Sequence, residues 1–362
     1  MRTLTPMFLI LLAGCSGGVE LTDATAPDTT GPTGGRVAPG ARDGGGDTTL
    51  PPDAGPSASP DAGPVAGDPS PSPDAGTPAP APPAPPTKVA IFPPDSPWNT
   101  RIDEAPVDPK SDAYIADMGA DDPLTAAWDA DGNGIPYVEV GRDQAMVHVS
   151  YWGFPNESDP GPFPIPWDAT PDPSLDHHVI VVDRERGYLY ELFQGSRNTD
   201  GSWDASNGAK WDLRSDATRP LRWTSADAAG LPIFPGLVRW DEVDSGTIAH
   251  ALRFVVGHSQ QGFVWPATHA AGTCAMGSNC PPMGLRVRLK KDVDISGFSW
   301  RMQVILRALK EYGMFVADNG GGTSFWLSGA PDSRYSNEDL RSLRAIKGSD
   351  FEVVQHGPIS PQ

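Results

Sequence analysis

The residue types able to move protons cluster in three short stretches. Asp176-His177-His178 opens one apolar run, and Glu191 lies in the next. Adjacent residues of a strand point to opposite faces, so the two histidines cannot share one ligand. One of them could pair with Glu191 across neighbouring strands as an acid–base set. Trp240-Asp241-Glu242-Val243-Asp244 places acids beside an indole, and glycosidases work with paired carboxylates flanking a sugar. His250 and Arg253 follow, with His258, Trp265 and His269 downstream. A base beside a cation suits proton abstraction next to a carboxylate, where the cation stabilises the developing enolate. The catalytic candidates are therefore His178, Glu191, Asp241, Glu242, His250 and Arg253. Each has a structural alternative: a hydrogen-bonded histidine at a sheet edge, a turn of solvated acids, or a core histidine satisfied by backbone.

Eleven tryptophans accompany these groups, all beyond residue 88. Trp98, Trp152, Trp167 and Trp265 lie in Pro- or Gly-rich surroundings, where an indole could serve as a platform for the apolar face of a sugar ring. A loop-rich core filled by aromatics is the alternative. Asp129-Ala130-Asp131-Gly132-Asn133 matches the front of a calcium loop, but the twelfth position is Val140 rather than a bidentate glutamate. No cofactor is expected, and calcium at Asp129, Asp131 and Asn133 competes with a plain Asp/Asn/Gly turn. Gly-rich phosphate cradles and serine nucleophile elbows are missing from the sequence.

Three cysteines define the compartment. Arg2 precedes a short apolar run from Met7 to Ala13, too short to span a bilayer. The run ends in Leu12-Ala13-Gly14-Cys15, which resembles the lipobox of bacterial lipoproteins. That resemblance implies a signal peptide over 1–14, lipidation of Cys15 and attachment to a membrane, the outer membrane or cell surface being the expected location. An ordinary secretory signal is the alternative. Cys274 and Cys280 then remain to pair, as an oxidising compartment favours. Free thiols and a zinc site are the other readings, the latter lacking any CxxC spacing.

From 15 to 88 the chain is Pro, Gly, Ala, Asp, Ser and Thr without an aromatic residue. Pro-Asp-Ala-Gly recurs irregularly at Pro52, Pro60 and Pro73. Such a segment cannot bury enough apolar surface to offset its ordering entropy, and it reads as a disordered tether reaching roughly 50 Å as a coil. Residues 89–362 form the single globular domain, long enough to bury a full core. The chain's net charge is −19, of which −14 falls on that domain once Arg2 and the nine acids and three bases of 16–88 are counted. Nucleic acid is a poor partner for such a surface.

The elements that must position these groups read mostly as strands. Val179 to Asp183 and Tyr188 to Gln194 flank Arg184-Glu185-Arg186-Gly187 as a hairpin. Leu285, Val287 and Leu289 alternate with Arg286, Arg288 and Lys290, one face buried and one wet. Ile248 to Val256, Met314 to Ala317 and Ser324 to Ser328 are further strands. Met302, Ile305, Leu306 and Leu309 make one apolar stripe, predicting a helix from Ser299 to Tyr312 ended by Gly313. A second helix follows Ser336, with Leu340 and Leu343 inward. The expected architecture is mainly β, a β-sandwich or jelly-roll-like domain with two peripheral helices near the C-terminus.

Two further resemblances concern the domain. Glu242-Val243-Asp244 is similar to the first half of the Glu-x-Asp-x-x-Glu strand of laminarinase-like jelly rolls, with Thr247 in place of the third acid. Ala229-Gly230-Leu231-Pro232-Ile233-Phe234-Pro235-Gly236-Leu237-Val238-Arg239, His250-Ala251-Leu252-Arg253-Phe254 and Ala317-Asp318-Asn319-Gly320 resemble stretches of a family of uncharacterised secreted bacterial proteins. That similarity runs from Ser96-Pro97-Trp98-Asn99 to Ser349-Asp350-Phe351 and implies a shared fold, without an activity to transfer. The expectation for function is a surface-anchored, carbohydrate-active lipoprotein, a glycan hydrolase or polysaccharide lyase. A noncatalytic glycan-binding or adhesion module and a structural envelope lipoprotein are the alternatives.

Overall fold

The computed structural model describes residues 89–320 and 322–362. The expected signal peptide, Cys15 and the expected tether lie outside the described residues.

The domain is mainly β, with strand partners drawn from distant parts of the sequence. Its largest sheet has six strands in the order Thr125–Ala126, Trp326–Leu327, Leu252–Val256, Met314–Asn319, Arg286–Leu289 and Phe351–Val353. Leu252–Val256 runs parallel to Met314–Asn319 at the centre, while the Arg286–Leu289 pairings are antiparallel. A four-stranded sheet orders Tyr137–Glu139, Val179–Asp183, Tyr188–Phe193 and Asn207–Asp212. Its middle is the expected hairpin, with Val181 opposite Tyr190. Val149–Tyr151, Trp203–Ala205 and Ser196–Arg197 make a three-stranded sheet, and Gly262–Phe263 pairs with Ser360–Pro361.

Alternation of side chains explains how the sheets pack. On the hairpin, Ile180, Val182 and Leu189 join Ala209 and Trp211 in a core shared with Leu252, Phe254, Val287 and Val316 of the six-stranded sheet. Val179, Val181, Tyr190 and Leu192 face the other way, against Val149, Phe163, Trp203 and Ala205. The four-stranded sheet is therefore buried on both faces, which accounts for the unbroken apolar run Val179 to Val182.

Among the described residues four α-helices accompany the sheets: α1 (Ser111–Met118), α2 (Trp240–Ser245), α3 (Trp300–Glu311) and α4 (Asn337–Ser342). The two expected late helices are α3 and α4. In α3, Met302, Ile305, Leu306 and Leu309 are buried as their spacing requires, each contributing about 1.5–3 kcal/mol of transfer free energy. Gly313 ends it at φ 66°, where a Cβ would lie 2.4 Å from the Val287 carbonyl oxygen. Ser336 caps α4 by accepting from the Asp339 amide, and Leu340 and Leu343 face inward. α1 and α2 add to the two helices expected. In α2, Trp240 and Val243 are buried three residues apart, so the segment compared with a laminarinase strand is one helical turn and more.

The Arg286–Leu289 strand also departs from expectation, because its second face is not wet. Arg286 donates to the Tyr312 carbonyl and lies over the Phe315 ring, and Arg288 pairs with Glu352 at 2.7 Å. The Cys274–Cys280 disulfide forms as expected.

Candidate active site

Seven ionisable groups meet where the hairpin faces the six-stranded sheet. Ile180 opposes Glu191 in the hairpin register, so His178, two residues earlier, shares the face of Glu191. The structure pairs His178 with Asp172 rather than with Glu191. Asp172 Oδ2 accepts from the His178 amide at 2.6 Å and from Nδ1 at 2.8 Å, and Nε2 lies 3.1 Å from the Ala226 carbonyl oxygen. Both ring nitrogens face acceptors, which is the arrangement of an imidazolium. Burial lowers the pKa of His178, but the hydrogen bond and charge of Asp172 outweigh it and raise it overall. Burial likewise pushes Asp172 up, and His178 reverses this to bring it down to about 2.

Arg253 crosses toward this face from the central strand of the larger sheet. Its Nε and one terminal nitrogen hold the two oxygens of Asp227 at 2.9 and 2.8 Å, and the other terminal nitrogen donates to Ser328 Oγ at 2.7 Å. Both members of the pair are buried. Gly236 makes this approach possible, because a Cβ there would meet Arg253 Cβ and the Trp98 ring at 2.8 Å.

Asp318 is brought in by a break in strand register. Val316 opposes Phe254, yet Asp318 opposes Val255, leaving Ala317 as a bulge. A bulge re-aims the side chains that follow it. Asp318 is half-buried and accepts from the Asn319 amide at 2.7 Å. Burial first, then the negative charge of Asp227, push its pKa up to about 7, with Asp176 adding and Arg253 opposing. Glu191 also stands at about 7, raised by burial against the hydrogen bonds it accepts. Its oxygens take the amides of Ile233 and Phe234 at 2.9 Å and Trp211 Nε1 at 3.1 Å. Glu191 is fully enclosed, so its part is to fix these elements together. Among these acids Asp318 is the one whose residue is not fully buried. Asn319, Ala228, His269 and Phe193 are half-buried with it, and the Phe193 ring lies 5.9 Å from that of His178.

Three other candidates occupy a second place. Glu242, on α2, reaches Arg239 at 2.5 Å and His250 Nε2 at 3.1 Å, and His250 Nδ1 donates to the Ala251 carbonyl at 2.9 Å. Burial raises Glu242, but His250 and Arg239 together pull it down to about 2. Asp241 is exposed and lines a groove of about 270 Å³ with Tyr137, Trp240, Pro331, Asp332 and Arg334. Arg334 is chelated by Asp332 and stacks 5.1 Å from the Trp240 ring centroid. This cluster holds a helix against the strand that carries Arg253, and within it Glu242 is committed to Arg239 and His250.

His178, Glu191 and Arg253 thus meet in one site, whereas Asp241, Glu242 and His250 do not join it. Sequence reasoning missed Asp172, Asp176, Asp227 and Asp318 as members. The one signal for Asp318 was an acid closing the apolar run Met314 to Ala317.

Among the aromatic candidates, Trp98 is buried, edge-on to Phe315 at 5.1 Å. Its loop folds inward because the Trp98 carbonyl accepts from the Ala251 amide. Trp152, Trp167 and Trp265 are 64, 76 and 65% exposed. In the calcium-like loop, Asp129 accepts from the Asp131 and Asn133 amides and from Asn133 Nδ2, while Asp131 accepts from Asn337 Nδ2 at 2.8 Å. The carboxylates there are used within an Asx turn and its tie to α4. No family model matches the chain, and comparison with the curated proteins and with the solved structures finds no match either.

Proposed function

We propose that residues 89–362 hydrolyse a neutral glycan outside the cytoplasm, with Asp318 as the general acid. The observation that carries this reading is the placement of Asp318 on a bulge at the end of a central strand, close to Asp227, Asp176 and Arg253, where burial and the charge of Asp227 push its carboxyl up to about 7. A carboxylic acid that stays protonated near neutral pH can protonate a glycosidic oxygen. Asp176, whose charge also acts on Asp318, then supplies negative charge beside the oxocarbenium-like transition state. Arg253 keeps Asp227 in place, and the Asp172–His178 pair fixes the adjoining loop.

Hydrolysis is favoured over lyase chemistry because both cations of the site, His178 and Arg253, are already paired with acids, which leaves neither to stabilise a developing enolate. The exposed Trp152, Trp167 and Trp265 supply stacking surfaces and also support the second reading, a glycan-binding module without catalysis. The disulfide supports an oxidising compartment. In this reading Cys15 carries the lipid anchor to the outer membrane or cell surface, as the lipobox-like Leu12-Ala13-Gly14-Cys15 suggests. The packing of the hairpin sheet between the other two is read as a β-sandwich-like core.

The test is release of reducing ends from a panel of neutral polysaccharides by the wild type and Asp318→Asn. Activity lost in the variant supports the assignment. Equal activity in both, or none in either, overturns it.

A further inference from the structure

We infer that Cys274, Cys280 and His258 form a redox-gated site for a thiophilic metal ion, open only when the disulfide is reduced. One ligand atom from each of the three residues lies within 4.8 Å of the others. Among the described residues no other group of histidine, cysteine and carboxylate side chains gathers so closely. His258 is exposed and its Nε2 is 2.8 Å from Asp117 Oδ2 on α1, which leaves Nδ1 as the ring atom to bind an ion. A carboxylate on the far nitrogen orients a histidine and raises its basicity as a ligand.

Hydrogen bonds hold the loop between the cysteines in addition to the disulfide. Gln260 is fully buried; its Nε2 donates to the Cys280 carbonyl at 2.6 Å and its Oε1 accepts from the Gly277 amide at 2.8 Å. The Cys274 amide donates to the Ser259 carbonyl, the Gln261 amide to the Cys274 carbonyl and the Gln260 amide to the Pro281 carbonyl. With these bonds kept, opening the S–S bond leaves the two sulfurs near each other and near His258. Reduction by a dithiol transfers two electrons and two protons, giving two thiols here and a disulfide on the donor. An ion such as Zn²⁺ then displaces the thiol protons and takes two thiolates and one imidazole, with a position left open.

The experiment titrates Zn²⁺ into the full chain, oxidised or reduced with a phosphine, against a competing chromophoric chelator. One tight site per chain is expected in the reduced protein and none in the oxidised protein. Asp117→Asn should weaken it by about 10–100-fold. His258→Ala should weaken it more; because the side chain is 45% exposed, the variant's circular dichroism should match the wild type. Reduced wild type binding no more Zn²⁺ than the oxidised form, or His258→Ala binding as tightly as wild type, overturns the inference.

Discussion

Arg253 grips Asp227 with two parallel hydrogen bonds, 2.9 Å from Nε and 2.8 Å from a terminal nitrogen, with both side chains almost fully out of water. The pair ties the central strand of the six-stranded sheet to the loop before Ala229, and its net charge is balanced before any ligand arrives. Breaking such a pair leaves one charge stranded.

Arg253→Met should therefore destabilise the domain by about 3–5 kcal/mol, since Asp227 is left unpaired. Adding Asp227→Asn should recover part of that loss. Urea unfolding of both variants and the double variant measures the coupling, and strict additivity would mean that the two groups do not support each other.

Glu191 makes stability fall with pH. Its ordinary value is 4.5, and burial raises it to about 7 in the folded chain. The folded state then holds a proton that the unfolded state has released. Stability from this group is complete below 4.5 and is lost as pH rises through about 7. Glu191→Gln should flatten the decline in the unfolding midpoint between those values, by an amount on the order of 1.4 kcal/mol per pH unit at most.

Glu242 acts in the opposite sense. Burial raises it, but His250 and Arg239 bring it to about 2, below its ordinary 4.5. Its contribution is present above 4.5 and is lost as pH falls through about 2. Glu242→Gln should unfold at a higher pH during acid titration than a neutral surface variant such as Glu338→Gln, read by tryptophan fluorescence.

The tryptophans divide by exposure. Trp98→Ala should cost about 3–5 kcal/mol, as truncation of a core aromatic does. Trp152→Ala, Trp167→Ala and Trp265→Ala should each stay within about 1 kcal/mol of wild type while reducing retention on the neutral glycan proposed as the substrate. Parallel thermal unfolding and affinity electrophoresis distinguish the two effects.

Much of the local structure was legible because it follows from short-range patterns. The hairpin around Arg184 to Gly187, the stripe of α3, the Ser336 cap and the single cysteine pair each depend on residues within about a dozen positions. α2 was also readable in retrospect, since Trp240 and Val243 recur at helical spacing within a segment that acidic composition made look like a turn. The site was only half legible. His178, Glu191 and Arg253 stood out as polar residues within apolar runs. Asp227 and Asp318 did not, because each is an ordinary acid beside small residues until the grip of Arg253 on Asp227 and the Ala317 bulge before Asp318 bring them into one site. Parallel pairing and bulges are set by tertiary contacts and leave no periodic trace in the sequence.

The most direct measurement is the pH dependence of reducing-end release on the most responsive neutral polysaccharide, for wild type and Asp318→Asn. Activity should fall as pH rises through about 7, where Asp318 gives up its proton, and Asp318→Asn should lower kcat by about 10²–10⁴-fold. Activity that holds or climbs from pH 7 to about 9, beyond any proton loss that Asp318 could cause, or an Asp318→Asn variant as fast as wild type, would contradict the assignment.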